Sequence, residues 1–560
     1  MQEVCDNIKN KLILETGNII NDVFSFYLSA YPSFTKELVS AFNLMFPKIN
    51  LSLQCKKETI CSPIQNTHVY WSQKLFSNEH RKKKGIYYTD YDLADYVVAN
   101  LIYNRFISSA KIDSTNKILH MLQKLPSKQH DNLLFKQTFL DPTCGSGEFL
   151  VSIFRIKKHL YLNKYKLKLK DKDLLDICNT IYGNDIETDS LQIAKVRIFH
   201  EIFPLLANKE SIVKLAYILN KNFSSQNWVS GPIKLNNKFD YVIGNPPYVE
   251  YGKYLGEHLT KLDCGNVYAD VIVNSYRVLD KNGCIGFILP LSYTSTTRML
   301  SLRKFVTERS KKQIILNFAD RPSCLFPGVH QKNSILFSFN GNTPCKTYTS
   351  SYQYWYLSER KEILQSINLV ETTDLGEAGF PKIGNSICKS IFRKITTLYP
   401  CNLYDAQDIS NKSLYLNMRA TFWIKAFSTY RKSSEYKKFC YPEKMYDFVL
   451  CLLNSSLFWF YWVMISDCWH ITSKELKKFT IPNSIVRFKK YTNLINKLEN
   501  KLEKTKKYIG TVQTDYEYKH KLCKKEIDEI DDEIAKEYNL TEQEIKYIKN
   551  FALKYRMGEK

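Results

Sequence analysis

The apolar run "FDYVI" at 239–243 has no polar interruption beyond one aspartate, as expected of a central strand buried on both faces. Short runs of this kind alternate with helical spacing from 138 to about 340. The order is "TFL", a helix after Gly147, "TIYGN", a helix near 189–203, "FDYVIG", a helix near 268–279 and "CIGFILP". Strands alternating with helices predict an α/β fold built on a parallel, doubly wound sheet. Upstream, Ile8, Leu12, Ile13, Ile19 and Ile20 follow helical spacing. In "IYYTDYDLADYVVANLI", Thr89 or Asp90 is placed to cap a helix whose apolar face is Leu93, Val97 and Leu101. Beyond about 341 the pattern turns irregular and aromatic, and after 483 it becomes charged and helical. Four segments are therefore expected: a helical extension at 1–80, an α/β domain at 81–340, a further region at 341–483, and an antiparallel pair of solvated helices at 484–560. The most apolar window, "YDFVLCLLNSSLFWFYWVMISDCWH", includes Asp447, Asn454 and three serines. A buried helix pair fits it better than a membrane span.

Charge narrows the partner. Of the 560 residues, 80 are Lys or Arg and 56 are Asp or Glu, a formal net charge of +24 that suits a polyanion. The 15 cysteines are scattered singly with no CxxC pair and no metal-ligand spacing, which predicts reduced thiols, no metal and a cytoplasmic setting. The N-terminus is charged from residue 3 and lacks the apolar region of a signal peptide.

Three stretches concentrate chemistry. "FLDPTCGSGEFL" (139–150) reads as strand, acid, glycine turn and helix, with Gly145 and Gly147 permitting a tight turn and close backbone approach. No Gly-Lys-Ser/Thr follows, and Leu150 stands where a dinucleotide fingerprint has its third glycine. A pyrophosphate role fails on that ground, whereas a smaller nucleoside fits. Asp141, at the strand end, can accept from an ammonium group. "YGNDIE" ends a second strand on Asp185, the acid that α/β nucleoside sites aim at ribose hydroxyls. In "IGNPPYVEY" (243–251), Pro246 and Pro247 supply no backbone donors and hold Asn245 extended. A rigid polar-aromatic hook thus follows a buried strand, where open α/β sheets bind ligands.

In this order "GIYYTDYDLADYVV", "FLDPTCGSGEFL", "YGNDIETDSLQIA" and "FDYVIGNPPYVEY" resemble the cofactor and catalytic motifs of gamma-order, adenine-specific DNA methyltransferases of restriction–modification systems. "GNVYADVIVNSYRVLDKNGCIGFILP" and "LFPGVHQKNSILF" are similar to later motifs of that family, and the "YNLTEQEI" tail to its C-terminal helices. The resemblance implies a Rossmann-like class I methyltransferase domain with S-adenosylmethionine as cofactor. It puts Thr89 near the cofactor's carboxylate, Asp141 near its methionine end and Asp185 on its ribose, with Pro142, Cys144, Gly145, Gly147 and Ile186 also cofactor-binding. Asn222 would meet the adenine edge and Phe223 would stack on it. The opening motif of the family reads Thr-Pro, whereas Asp90 follows Thr89 here.

The resemblance also makes Asn245, Pro246, Pro247 and Tyr248 catalytic, with Tyr248 and Phe326 as faces for a flipped base. Duplex DNA is the implied partner, read by residues 341–483; a separate restriction endonuclease, or none, is left open. An exocyclic amino nitrogen is a poor nucleophile, because its lone pair is delocalised into the ring. Acceptors at the Asn245 side-chain oxygen and the Pro246 carbonyl would draw its N–H bonds toward tetrahedral geometry, an effect of preorganised electrostatics. An RNA or protein-glutamine amino group, or a non-catalytic DNA-binding subunit, are the alternatives. Cytosine five-position chemistry is excluded, since Cys345 and Cys401 follow prolines far beyond the catalytic strand. A fused nuclease is not expected either, because 1–80 is short and has no Pro-Asp…Glu-x-Lys arrangement.

Overall fold

The computed structural model describes residues 2–51 and 89–558, apart from short stretches at 167, 231–232, 234–236, 255–261, 327, 376–378, 409–411, 484, 486–487 and 513. The basic run at 81–85 and the tyrosines at 87 and 88 lie outside the described residues.

Nine strands form one sheet. They are β1 (Phe139–Asp141), β2 (Ile181–Asn184), β3 (Phe223–Ser224), β4 (Phe239–Gly244), β5 (Leu279–Pro290), β6 (Ser310–Phe318), β7 (Asn333–Asn340), β8 (Lys346–Gln353) and β9 (Val370–Glu371). The spatial order is β3-β2-β1-β4-β5-β7-β6-β8-β9. Strands β3 through β5 pair in parallel, as their continuous apolar runs predicted. The chain moves outward in one direction from β1 to β3 and in the other from β4 to β5. The switch point, where such sheets open a crevice at their carboxyl ends, is therefore between β1 and β4.

Two expectations need correction. The sheet is not wholly parallel, because β7 runs antiparallel to both β5 and β6. The described residues of 319–332, between β6 and β7, contain no helix to carry a parallel crossover, and β7 pairs antiparallel with β6. A boundary at 340/341 also fails. β8 pairs in parallel with β6, and β9 antiparallel with β8, so the sheet extends to Glu371.

The flanking regions share cores with their neighbours. In the N-terminal helix Gln2–Ala30, Ile20, Val23, Phe24 and Tyr27 are buried. The Tyr27 ring lies 5.9 Å from Phe199 and 4.9 Å from Phe203, on and just beyond the Thr188–Ile202 helix. Past the sheet, helices Glu443–Asn454 and Ser456–Ile465 meet at a 64° bend; the first packs on a three-stranded antiparallel sheet of Lys412–Asn417, Ala426–Phe427 and Tyr436–Tyr441, and the second on β8 and the tail helices. Every residue of Ser456–Ile465 is buried, as expected for a helix apolar on all sides. Among the described residues no single helix is long and apolar enough to cross a membrane.

The boundary at 483/484 fails as well. Tail helices Phe488–Thr505 and Lys524–Glu537 are not merely solvated: Ile495, Leu498, Leu502, Ile527, Ile530 and Ile534 are buried. Phe448 and Tyr491 pack at 5.2 Å, Phe460 and Phe551 at 4.8 Å, and Asp531 accepts from the Ser456 amide at 2.7 Å. Charged positions had masked a clear apolar stripe. The part of the chain after β9 is one packed unit.

Candidate active site

The loops after β1, β2 and β4 converge at the carboxyl edge of the sheet. Asp141 closes β1 and is 1 % exposed, with Oδ1 accepting from the Thr143 amide at 3.1 Å. Its close neighbour is the backbone of β4: a Cβ on Gly244 would come within 2.6 Å of that Oδ1. The glycine that ends "FDYVIG" is there to admit the carboxylate. Burial first, and the nearby Asp185 charge second, raise the Asp141 pKa well above the carboxylate range. A pair of acids held this way favours a cation.

The turn between β1 and its helix uses both predicted glycines in left-handed conformation, Gly145 at φ +51 and Gly147 at φ +85. At Gly147 a Cβ would also meet the Ala194 Cβ at 2.9 Å, so the turn must sit against the Thr188–Ile202 helix. Cys144 is a buried thiol in this turn, and its pKa is raised by burial and by Asp185 and Asp141. Asp185 reaches across from β2, its Oδ2 accepting from the Gly145 amide at 2.8 Å and its Oδ1 from the Glu187 amide at 2.8 Å. The two acid loops are thereby tied together. Beside it Ile186 leaves 55 % of its surface exposed, an apolar face at the rim of the crevice.

Three supports were not foreseen. Asn184 is fully buried and donates to the Pro142 and Gln226 carbonyls at 2.9 and 3.0 Å, while its Oδ1 accepts from the Gln226 amide and the Ser224 hydroxyl. One side chain thus fixes the loops after β1, β2 and β3. Arg197 donates to the Ser146 carbonyl at 2.8 Å and pairs with Glu148 at 2.7 Å, bracing the glycine turn. Arg360, from beyond β8, pairs with Asp92 at 2.7 Å and Asp90 at 2.9 Å and donates to the Leu325 carbonyl at 3.0 Å. The aspartate in place of proline in the opening motif is this ion-pair partner. Asp90 is the N-cap of the Tyr91–Phe106 helix, yet its side chain makes no capping hydrogen bond; Asp92 accepts from the Leu93 amide instead. Leu93, Val97 and Leu101 are fully buried, as their spacing predicted.

The hook follows β4. Pro246 is buried, and Asn245, Pro247 and Tyr248 are half-buried. Asn245 Nδ2 donates to the Thr89 hydroxyl at 3.4 Å, bringing the opening motif to the hook. The Tyr248 hydroxyl donates to Asn245 Oδ1 at 2.6 Å, lies 3.0 Å from the Ile288 carbonyl, and accepts from Asn333 Nδ2 at 3.5 Å. The hook is held from β5 and β7 as well as by its own prolines.

Two expected contacts are misplaced. Asn222 ends the Lys209–Asn222 helix and donates to the Asn179 and Ile181 carbonyls, at the amino end of β2, away from Asp185. Phe223 pairs in register with Gly183, and its ring fills the space a Cβ there would need. The residues level with Asp185 are Ser225 and Gln226: the Asp185 amide donates to the Ser224 carbonyl, and the Ser225 hydroxyl to the Ile186 carbonyl. The assignment was one strand-length off, because β3 is only two residues long and gives a weak pattern. Phe326 is 2 % exposed within the main core, so no face of its ring is open to a base. Among the described residues no cluster of His, Cys, Asp and Glu could hold a metal ion.

Residues 179–324 match the model of the Eco57I restriction-modification methylase family. That segment runs from the start of β2 through the hook to the loop after β6. Over 212 residues the chain is 26 % identical to the type II methyltransferase M.BstVI of Geobacillus stearothermophilus, covering 36 % of each. It is 24 % identical over 231 residues to M.PaeR7I of Pseudomonas aeruginosa, covering 38 % of this chain and 37 % of that protein. It is 24 % identical over 310 residues to the restriction enzyme and methyltransferase RM.Eco57I of Escherichia coli, covering 47 % of this chain and 30 % of that one. The chain spans about a third of the length of these curated relatives. The DNA complex of the type IIL restriction-modification enzyme MmeI superposes with a TM-score of 0.47 at 13 % identity, over 87 % of this chain and 80 % of that one. The strand order itself makes the sheet Rossmann-like.

Proposed function

We propose that the chain is a DNA methyltransferase that transfers a methyl group from S-adenosylmethionine to the N6 amino group of an adenine flipped out of duplex DNA. The observation that carries this reading is the position of Asn245-Pro246-Pro247-Tyr248 at the carboxyl end of β4, one strand from Asp141 at the switch point of the sheet. The residues present fit the cofactor. Asp141, buried and beside a second acid, suits the positively charged methionine end, and the left-handed glycine turn leaves backbone amides at a helix start. Asp185 is the acceptor for ribose hydroxyls: a carboxylate offers about four acceptor sites, and the Gly145 and Glu187 amides hold it at the end of β2. Ile186 offers an apolar face, and Ser225 with Gln226 replaces Asn222 at the adenine edge. Thr89, beside Asn245, is assigned to the cofactor's carboxylate, and Pro142 and Cys144 line the same pocket. The cofactor supplies a methyl group on a sulfonium, already activated for transfer.

The rest is done by this chain. Asn245 Oδ1 and the Pro246 carbonyl accept from the two N–H bonds of the adenine amino group, and the prolines hold both acceptors in place. Tyr248, anchored through its hydroxyl, offers its ring face to the base. Flipping costs a few kcal/mol, and stacking returns about 1–3 kcal/mol. Recognition of the target sequence belongs to the packed unit after β9, with phosphate contacts drawn from the surplus of Lys and Arg. A separate nuclease is the expected companion in a restriction–modification pair. The test is modified-base sequencing of DNA from a host expressing the chain. N6-methyladenine at one recurring sequence supports the reading, and transfer only to RNA or to a protein amide sinks it.

A further inference from the structure

Trp469 is out of place. The other described tryptophans are buried or half-buried, whereas Trp469 is 38 % exposed. Its backbone is nevertheless held firmly. The amide donates to Asp467 Oδ1 at 2.9 Å, the carbonyl accepts from the Ala420 amide at 3.3 Å, and the neighbouring His470 bridges to Arg419. Cys468, just before it, sits in left-handed conformation at φ 55, a position that a non-glycine residue occupies at a cost. A strained turn here presents a large aromatic ring to solvent.

The ring is flanked by cations. Lys332 Nζ lies 4.1 Å from its centroid and the Arg419 guanidinium 5.5 Å. Each has an acid nearby, Asp320 at 3.9 Å from Lys332 and Glu435 at 3.4 Å from Arg419. Lys332 also connects this surface to the hook: its carbonyl accepts from the Leu291 amide, and the next residue, Asn333, donates to the Tyr248 hydroxyl. Adjacent residues thus face the hook and the indole.

We propose that Trp469 is a nucleobase-stacking platform for DNA beside the flipped adenine, backed by the nearly buried Lys332, with the half-exposed Arg419 meeting a flanking phosphate. The inference rests on the DNA reading above. Removing a base from the stack strips its neighbours of a partner, and a fixed indole backed by a cation replaces that surface with little loss of side-chain freedom. Stacking of this kind is tolerant of sequence, so it can be measured before the recognition site is known.

The test is a fluorescence titration of the full chain with a short single-stranded oligothymidylate and with a mixed-sequence duplex at fixed salt. Trp469→Ala is expected to weaken oligothymidylate binding roughly tenfold or more. Trp469→Phe should retain most of it, with S-adenosylmethionine affinity and melting temperature unchanged. If alanine lowers the melting temperature, Trp469→Leu against Trp469→Phe decides, because leucine keeps apolar bulk and loses the π-face. Equal binding by wild type and Trp469→Ala, in a protein that still methylates host DNA, overturns the platform alone. A wild-type chain that binds neither oligonucleotide and methylates no DNA overturns the DNA reading, and the platform with it.

Discussion

The sheet half from β1 to β5 and the packed unit after β9 solve different problems. In the first, the residues proposed for the chemistry lie at strand ends. Asp141, Asp185 and Asn245 each sit just past or at the end of a strand, and the apolar strands behind them only set their spacing. In the second, side chains pack against one another with no repeating chemical motif: Phe458, Trp459, Phe460, Tyr461 and Trp462 are consecutive and all buried. A substitution in the first should therefore change chemistry with little change in stability, and the reverse should hold in the second.

The largest effect expected is on stability. Phe460→Ala removes a fully buried ring packed on Phe551 and Tyr547, and should cost about 3–5 kcal/mol. Denaturant unfolding measures it, and cofactor affinity in the folded fraction should not move. A parallel loss of cofactor affinity would mean that the two halves are not separable in this way.

The mirror experiment is Asn245→Ala. Losing a preorganised acceptor should lower methyl transfer by about 10²–10³, or roughly 2.7–4 kcal/mol, with stability and cofactor affinity nearly intact. Calorimetry and turnover on the same preparation separate these. Equal losses in both would show that Asn245 supports the fold and not the reaction.

The same contrast explains what could be read in advance. Strand ends with an acid, a glycine turn or a double proline are local signals, so the positions of Asp141, Gly147, Asp185 and the hook were visible in one dimension. Asn184, Arg197 and Arg360 were not. Each acts on backbone or charge far away in sequence, as Arg360 does on Asp90, and nothing near it in the chain marks the partner. Asn222 was misjudged because β3 has two residues and no periodicity to count. Phe326 shows the converse, a ring expected to face the flipped base that is core. The tail helices hid their apolar stripe because charged residues outnumber it, although Ile527, Ile530 and Ile534 keep helical spacing.

Two carboxyls are pushed up to about 6 chiefly by burial, Asp95 on the Tyr91–Phe106 helix that precedes the sheet and Asp531 in the tail. An acid whose folded pKa is raised holds its proton better in the folded state, so its contribution is full below the ordinary value of 3.8 and is lost as pH rises through about 6. For Asp95 that amounts to about 3 kcal/mol across this window. Asp95→Asn, whose carbonyl can still accept from the Ser152 hydroxyl, should flatten the fall in stability between pH 4 and pH 6. Urea unfolding at several pH values tests it, and an unchanged slope would assign the dependence to Asp531 or elsewhere.

The smallest effect expected is the most local. Asp185→Asn keeps the size of the side chain and removes its charge. The Gly145 amide can still donate to the remaining carbonyl oxygen, but the Glu187 amide would face an NH2 group, or the reverse. The tie between the β1 and β2 loops is then half-lost, and a charged acceptor for hydroxyls is gone. Charge-assisted hydrogen bonds are worth about 1.5–3 kcal/mol, so cofactor affinity should fall by roughly 10- to 150-fold. Global stability should change less, because Asn184 independently fixes the same loops through Pro142 and Gln226. S-adenosylmethionine titration beside thermal unfolding distinguishes the two. If stability falls as far as affinity does, Asp185 is a structural tie between loops, and the ribose hydroxyls must be met by Glu187 or another group on that rim.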